Sequence, residues 1–174
     1  GCKDANRTFQ ATMIKRLPSD FRLPSGIVDV EAMFETCIQL EELPAGFTFA
    51  HLEGSTSYSF VFNGCVNLRS LPDGFAFPSS ARTFEDAFKN CRPLAALPDG
   101  LVIPPSATKV TQMFYNCASL RILPTSFDFP KTALDANHPS FLGLPESGEA
   151  TATYYPGTSQ AVRDYFATSA NAEG

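Results

Sequence analysis

Val110-Thr-Gln-Met-Phe-Tyr-Asn-Cys117-Ala-Ser-Leu120-Arg-Ile-Leu123-Pro124 is one of four near-copies of a single string. The others run Met33-Phe-Glu-Thr-Cys37, Val61-Phe-Asn-Gly-Cys65 and Ala87-Phe-Lys-Asn-Cys91. The cysteines are 28, 26 and 26 residues apart. Self-similarity at such a period marks a chain built by stacking one small unit. Three residues after each Cys comes Leu40, Leu68, Leu94 or Leu120, and three further on comes Leu-Pro: Leu43-Pro44, Leu71-Pro72, Leu97-Pro98, Leu123-Pro124. A short turn then leads to an alternating apolar pair: Phe47/Phe49, Phe75/Phe77, Leu101/Ile103, Phe127/Phe129. Pro78, Pro104 and Pro130 close the last three units, and Ala50 takes that slot in the first.

The spacing extends outward. Counting back 26 residues gives Leu17-Pro18, the pair Phe21/Leu23 and Pro24; counting forward 26 gives Pro156 after Thr153-Tyr154-Tyr155. The outer two units lack the Met-Phe-x-x-Cys part, as end units that cover a stack do.

Each alternating pair is too short for a helix, is rich in aromatics and follows turn residues, so it predicts a short strand. The Pro behind it cannot donate to a ladder and ends the strand. Pro72-Asp73-Gly74 and Pro98-Asp99-Gly100 are turns, in which Pro presets φ and Gly tolerates φ above zero. Ala107, Val110, Met113, Phe114 and Cys117 fall three or four apart and predict a short crossover helix. The expectation is therefore an α/β chain. Short parallel strands and short crossover helices repeat as a right-handed stack, the hand following the crossover rule. Residues 1–16 form an N-terminal cap, with Phe9, Met13 and Ile14 able to cover the first strand. Residues 17–156 hold the repeats, and 157–174 a capping helix and tail, with Thr158 or Ser159 as N-cap. Leu134 to Thr151 fits the pattern least and reads as loop.

Composition agrees with a folded domain: 174 residues, 44% hydrophobic and 18% charged, too apolar for a disordered chain. A net charge of −5 lacks the basic patch that nucleic-acid binding needs. No apolar run reaches the roughly 18 residues of a membrane span.

Few residues suggest chemistry. The four repeat cysteines are too far apart in sequence for a zinc site, which wants short C-x₂₋₄-C pairs. They read as small, soft core residues, with a disulfide between stacked neighbours as the other reading. His51 and His138 have no carboxylate or Cys at ligand spacing. Asp73 and Asp99 supply one acid per turn, too few for calcium. Glu85-Asp86 suits a helix start. There is no G-x-S-x-G elbow and no Gly-rich phosphate loop. The expectation is no catalysis, no metal and no cofactor. One column stands out: the residue between each alternating pair points away from the core. It runs Arg22, Thr48, Ala76, Val102, Asp128, Tyr154. It reads either as a ligand-recognition strip or as an ordinary solvated face. Arg69 and Arg121 repeat at one unit position and read as solvated charge.

The strings from Val110 to Leu120 and Phe75-Ala-Phe-Pro78 resemble the BspA-like leucine-rich-repeat family of bacterial surface proteins. They also resemble the related Met-Phe-x-x-Cys-x-x-Leu-x-x-Leu repeats of bacterial surface lipoproteins. Tyr154-Tyr155-Pro156-Gly157-Thr158 with its following helix is similar to that family's closing unit. The resemblance covers about residues 17–168 and departs in unit length, through the Leu-Pro-x-Gly insert before the strand. It implies a leucine-rich-repeat-like solenoid exported to the cell surface or anchored at the outer membrane; a monomer is expected. There it would adhere to a protein or glycan of a host or neighbouring cell, or serve as a spacer within a longer array. With Gly1 read as a cloning remnant, Cys2-Lys3-Asp4 looks like the start of a mature lipoprotein with Cys2 lipidated, the only membrane contact expected. The other reading of Cys2 is an ordinary exposed thiol.

Overall fold

The computed structural model describes residues 3–120, 123–124, 127 and 129–130. Within them the repeat becomes coil laid upon coil. The N–H groups of Ala5, Arg7, Phe9 and Ala11 donate to the carbonyls of Asp29, Glu31, Met33 and Glu35. Ala32, Phe34 and Thr36 donate to Ser59, Val61 and Asn63; Tyr58, Phe60, Phe62 and Gly64 to Thr83, Glu85, Ala87 and Lys89. Phe84, Asp86, Phe88 and Asn90 complete the series onto Lys109, Thr111, Met113 and Tyr115. Alternate residues thus point along the stack, each in register with its counterpart one repeat later. Elsewhere around the coil donors run the opposite way, from Glu41 to Lys15, Arg69 to Glu41 and Thr108 to Arg82. Buried backbone groups must find partners, and here the adjacent coil supplies them. Parallel bridges join Asp4 with Asp29, Glu42 with Ser70, Ser57 with Thr83, and Thr83 with Lys109.

The described residues contain no α-helix and no strand beyond such isolated bridges. The expected crossover helix is a pair of tight turns set back to back. In Val30–Met33 and again in Phe34–Cys37, the fourth N–H bonds to the first carbonyl at 3.1 Å. The third residues, Ala32 and Thr36, have φ of 53° and 55°. A type II turn requires a positive φ there, and a right-handed helix does not admit it. The same two positions recur as Arg7/Ala11, Phe60/Gly64, Asp86/Asn90 and Gln112/Asn116, all with positive φ. Two such turns bury their first and fourth side chains: Val30, Met33, Phe34, Cys37 and, three coils later, Val110, Met113, Phe114, Cys117. That is the i, i+3, i+4, i+7 stripe of an amphipathic helix, produced by a different backbone.

The expected strands at 47–49, 75–77 and 101–103 keep their alternation but not a ladder. Phe47, Phe49, Phe75, Phe77, Leu101 and Ile103 are buried, and the residues between them are not. Each pair is hemmed in. A Pro-led turn precedes it, with Phe75 N–H on Pro72 O at 3.1 Å and Leu101 N–H on Pro98 O at 3.2 Å. A Pro follows it. Little backbone is left to pair. Gly74 and Gly100, at φ of 73° and 83°, hold the turn positions the Pro-Asp-Gly strings predict.

The first coil differs from a plain cap. Residues 5–12 repeat the double turn, with Phe9 in the place of Phe34 and Thr12 in the place of Cys37. The longer step between Cys37 and Cys65 is also resolved differently. Leu52, not Ala50, takes the place of Pro78, because Ser55 N–H bonds Leu52 O as Ala81 N–H bonds Pro78 O. Ala50-His51 is the insertion, closed by an extra turn from Phe49 to Leu52.

Stacking like on like fuses the side chains into columns. Phe9, Phe34, Phe62, Phe88 and Phe114 form a ladder of near-parallel rings with centroids 5.2, 5.3, 5.4 and 5.3 Å apart. Phe21, Phe47 and Phe75 make a second, at 6.2 and 6.4 Å, and Phe49 with Phe77 a third, at 6.0 Å. Phe47 and Phe75 meet Phe49 and Phe77 edge-on at 5.2 and 5.3 Å. Aromatic pairs add about 0.5–1.5 kcal/mol beyond area burial, so the ladders supply much of the cohesion between coils. The closing unit near Pro156, the helix after Gly157, Arg121, Asp128, His138, Tyr154 and Cys2 lie outside the described residues.

Candidate recognition surface

The strip between the apolar pairs can be followed through four members. Arg22 is exposed, yet its guanidinium donates to the carbonyls of Phe21 at 2.7 Å, Ala45 at 3.1 Å and Ser19 at 3.5 Å. Thr48 is half-buried; its Oγ1 donates to Ala76 O at 3.2 Å and accepts from the N–H groups of Ala76 and Ala50, both at 3.2 Å. It supplements the single backbone bond between these two pairs among the described residues, from Phe49 N–H to Ala76 O at 3.0 Å. Ala76 is half-buried, and Val102 is 45% exposed. Two of the four therefore serve the backbone, and Val102 offers apolar surface.

The outer side of the double turns carries a second set of columns. Read as a helix, those positions scatter round a cylinder; as stacked turns they line up. Gln10 Nε2 donates to Glu35 Oε2 at 2.6 Å, and Asn63 Nδ2 to Glu35 Oε1 at 3.3 Å. Ser57 Oγ donates to Glu31 Oε2 at 2.7 Å, and Thr83 Oγ1 to Ser57 Oγ at 3.1 Å. Asn116 Nδ2 donates to Asn90 Oδ1 at 2.9 Å. Lys89 Nζ bonds Asp86 at 3.0 Å and Gln112 at 2.6 Å, and stands 5.4 Å from the centre of the Tyr115 ring. Lys109 pairs with Glu85. The face carries Asp29, Glu31 and Glu35 at the second coil, and Lys89 and Lys109, paired with Asp86 and Glu85, at the later ones. Cross-linking between coils holds these side chains in place, an ordering cost that a ligand need not then meet.

The cysteines form an inner column. Cys37 Sγ donates to Phe9 O at 2.8 Å, Cys65 to Phe34 O at 3.1 Å, Cys91 to Phe62 O at 3.2 Å and Cys117 to Phe88 O at 3.1 Å. All four are buried and free. Burial pushes every one of these thiols up from 9.0, Cys117 to about 12. For Cys37 the Thr12 hydroxyl and backbone oppose the rise. A thiol that resists ionisation is a poor nucleophile, so the column is structural.

The remaining sequence candidates are dispersed. His51 is exposed, with Nε2 2.8 Å from Leu23 O, bracing the insertion against the coil before it. Asp73 and Asp99 sit exposed in their turns, and Arg69 is exposed. Among the described residues no three His, Cys, Asp or Glu side chains are grouped to hold a metal ion. Ser55 and Tyr58 are fully buried polar residues beside the insertion. Burial raises the Tyr58 phenol, with the Ser55 hydroxyl opposing, though neither oxygen has a hydrogen bond of good geometry. Comparison with protein-family models, curated proteins and solved structures returned no match to this chain.

Proposed function

We propose that the chain is a right-handed, leucine-rich-repeat-like solenoid that works as a non-catalytic recognition module at a cell surface, binding a protein or glycan. The observation that carries this reading is the set of partly exposed polar side chains locked in register across successive coils. Asn63 and Asn116 each commit an amide nitrogen to the neighbouring coil. Their amide oxygens accept no hydrogen bond among the described residues, and the Tyr115 ring lies in the same set of columns. Amide, carboxylate and aromatic groups at fixed spacing suit hydroxyl-rich or peptide ligands. The expected strip at Arg22, Thr48, Ala76 and Val102 is the weaker half of this proposal, since two members are held by backbone. Asp128 and Tyr154 would extend it. Export, a lipid at Cys2 and a host or neighbouring-cell ligand follow from the bacterial-surface resemblance alone.

A glycan array and a panel of purified serum and matrix proteins, probed with the wild-type chain, test the reading. Binding that is lost in Tyr115→Ala with Asn116→Gly, in a protein that still unfolds cooperatively, supports it; glycine keeps the left-handed backbone that Asn116 holds at φ 58°. A specific observation favours a second reading, a spacer with no ligand: Arg22 and Thr48 are consumed by the fold. Silence across both panels favours that spacer.

A further inference from the structure

We propose that Phe60 is the stacking platform of a glycan site on the outer side of the double turns, and that the glycan it takes is electrically neutral. The inference rests on the recognition reading above and names that surface's central residue and its ligand class. Among the described residues Phe60 is the one phenylalanine that neither joins the core nor packs against it. It is half-buried, and within the described residues its ring meets no other aromatic ring. An aromatic left at a polar surface is the kind of side chain that anchors a ligand.

Its backbone is unfavourable for an aromatic. Phe60 stands third in the turn from Tyr58 to Val61, with φ of 60°. Arg7, Ala32, Asp86 and Gln112 hold that place in the other coils. A left-handed backbone costs an L-residue free energy, and a bulky side chain there is an outlier. The turn at Phe60 is also the most open of the five. Val61 N–H lies 3.4 Å from Tyr58 O, whereas the matching bonds at Thr8, Met33, Ala87 and Met113 run from 3.1 to 3.2 Å. Strain held by a ring that stands outside the core marks a residue kept for a task beyond folding.

The surroundings specify the ligand. The register of the coils sets Asn63 beside Phe60 on its own coil, Glu31 and Glu35 on the coil before, and Glu85, Asp86 and Lys89 on the coil after. Most of this charge is already engaged. Glu85 and Asp86 pair with Lys109 and Lys89, and Glu35 spends its two oxygens on Gln10 and Asn63. Glu31 gives Oε2 to Ser57 and keeps Oε1, and Asn63 keeps its amide oxygen, among the described residues. Open acceptors beside an apolar ring remain. A pyranose offers both complements, a face of C–H groups for the ring and hydroxyls that donate. The four carboxylates outnumber Lys89 and Lys109, so a uronate, sulfate or sialic acid would meet like charge. A basic peptide fits less well, because three of the four carboxylates already hold Lys or amide partners.

The test uses the full chain on an array of neutral, sulfated, uronate and sialylated oligosaccharides, with an oligo-arginine peptide and the protein panel alongside. Binding to neutral members is expected, little changed by salt. Phe60→Asn keeps a residue that accepts the left-handed backbone. It should weaken that binding at least tenfold and leave the urea midpoint equal to wild type or higher, while Phe60→Tyr should bind within a few-fold of wild type. Neutral-glycan binding that survives Phe60→Asn overturns the placement at Phe60 and spares the recognition module. Binding confined to anionic glycans, to oligo-arginine or to a protein overturns the ligand class and likewise spares the module. A lower urea midpoint in Phe60→Asn assigns the ring to the fold, as cover for Ala32, and overturns the proposal. Silence across the array, the peptide and the protein panel overturns this proposal and the recognition reading together.

Discussion

Gly64→Ala separates the two backbones that share one apolar stripe. In a crossover helix the change removes an interior glycine and should stabilise the protein by about 1 kcal/mol. In the double turn Gly64 has a φ of 75°. An L-residue in that region costs roughly 1–2 kcal/mol. Restricting the unfolded chain returns about 0.4–1 kcal/mol. A Cβ at Gly64 would also lie 3.2 Å from Thr36 Cγ2, 3.5 Å from Thr36 Cα and 3.6 Å from Thr36 N. That contact falls on the coil before, and Thr36 cannot retreat, since its N–H bonds Asn63 O at 2.7 Å. The net expectation is a loss of about 0.5–1.5 kcal/mol. For a chain of this size each kcal/mol moves the melting temperature by roughly 2–4 °C. Urea titration of both proteins, with the slope unchanged, gives the difference. Thr36→Ser removes Cγ2, so in that background the cost of Gly64→Ala should shrink by about 0.5 kcal/mol, the low end of the coupling between contacting residues. A Gly64→Ala protein more stable than wild type would refute the turn geometry and reinstate the helix.

Other consequences follow from the same geometry. Phe88→Ala should cost about 3–5 kcal/mol, and Phe9→Ala clearly less, because Phe88 has parallel rings on both sides and Phe9 on one; comparable urea midpoints for the two variants would contradict the ladder. Thr48→Val leaves the half-buried Ala76 N–H without its partner, while the Ala76 carbonyl keeps the Phe49 N–H at 3.0 Å, at an expected cost of about 1 kcal/mol, read by thermal melting. Tyr58→Phe deletes a buried hydroxyl with no well-formed hydrogen bond and copies Phe84 of the next coil, so its urea midpoint should match or exceed wild type. The thiols make stability fall at high pH. Their folded values lie above the unfolded value of 9.0, so above that pH the unfolded chain binds fewer protons than the folded one. Their contribution is complete below about pH 9 and is lost between there and about 12, where Cys117 ionises in the fold. A pH series of urea midpoints checks the direction, and replacing Cys117 by Ala should reduce the slope.

What could be read from residues alone depended on which physical quantity the residues report. The repeat, its register and its core were legible, because burial is written directly into residue type. Phe34, Phe62, Phe88 and Phe114 recur at one period, and each meets its counterpart in space. Backbone conformation was not, because side-chain spacing reports which way residues face and not the path between them. Val110, Met113, Phe114 and Cys117 are buried on one side whether the chain is one helix or two turns of four. A discriminating signal was present and small. The residue before each repeat Cys is Thr36, Gly64, Asn90 or Asn116, and Gly and Asn are the residues that accept a left-handed backbone most readily. The candidate surface was hidden for the same reason. Glu35, Asn63, Lys89 and Tyr115 share no residue type, so they become a column only once the turns that present them are known. The Arg22 strip illustrates the converse. Its outward direction was legible, but the use of Arg22 and Thr48 as backbone partners depends on how little ladder the flanking prolines leave. Any ligand chemistry here has to be sought where side chains remain after the backbone has been satisfied, which places it on the outer face of the turns ahead of the strip.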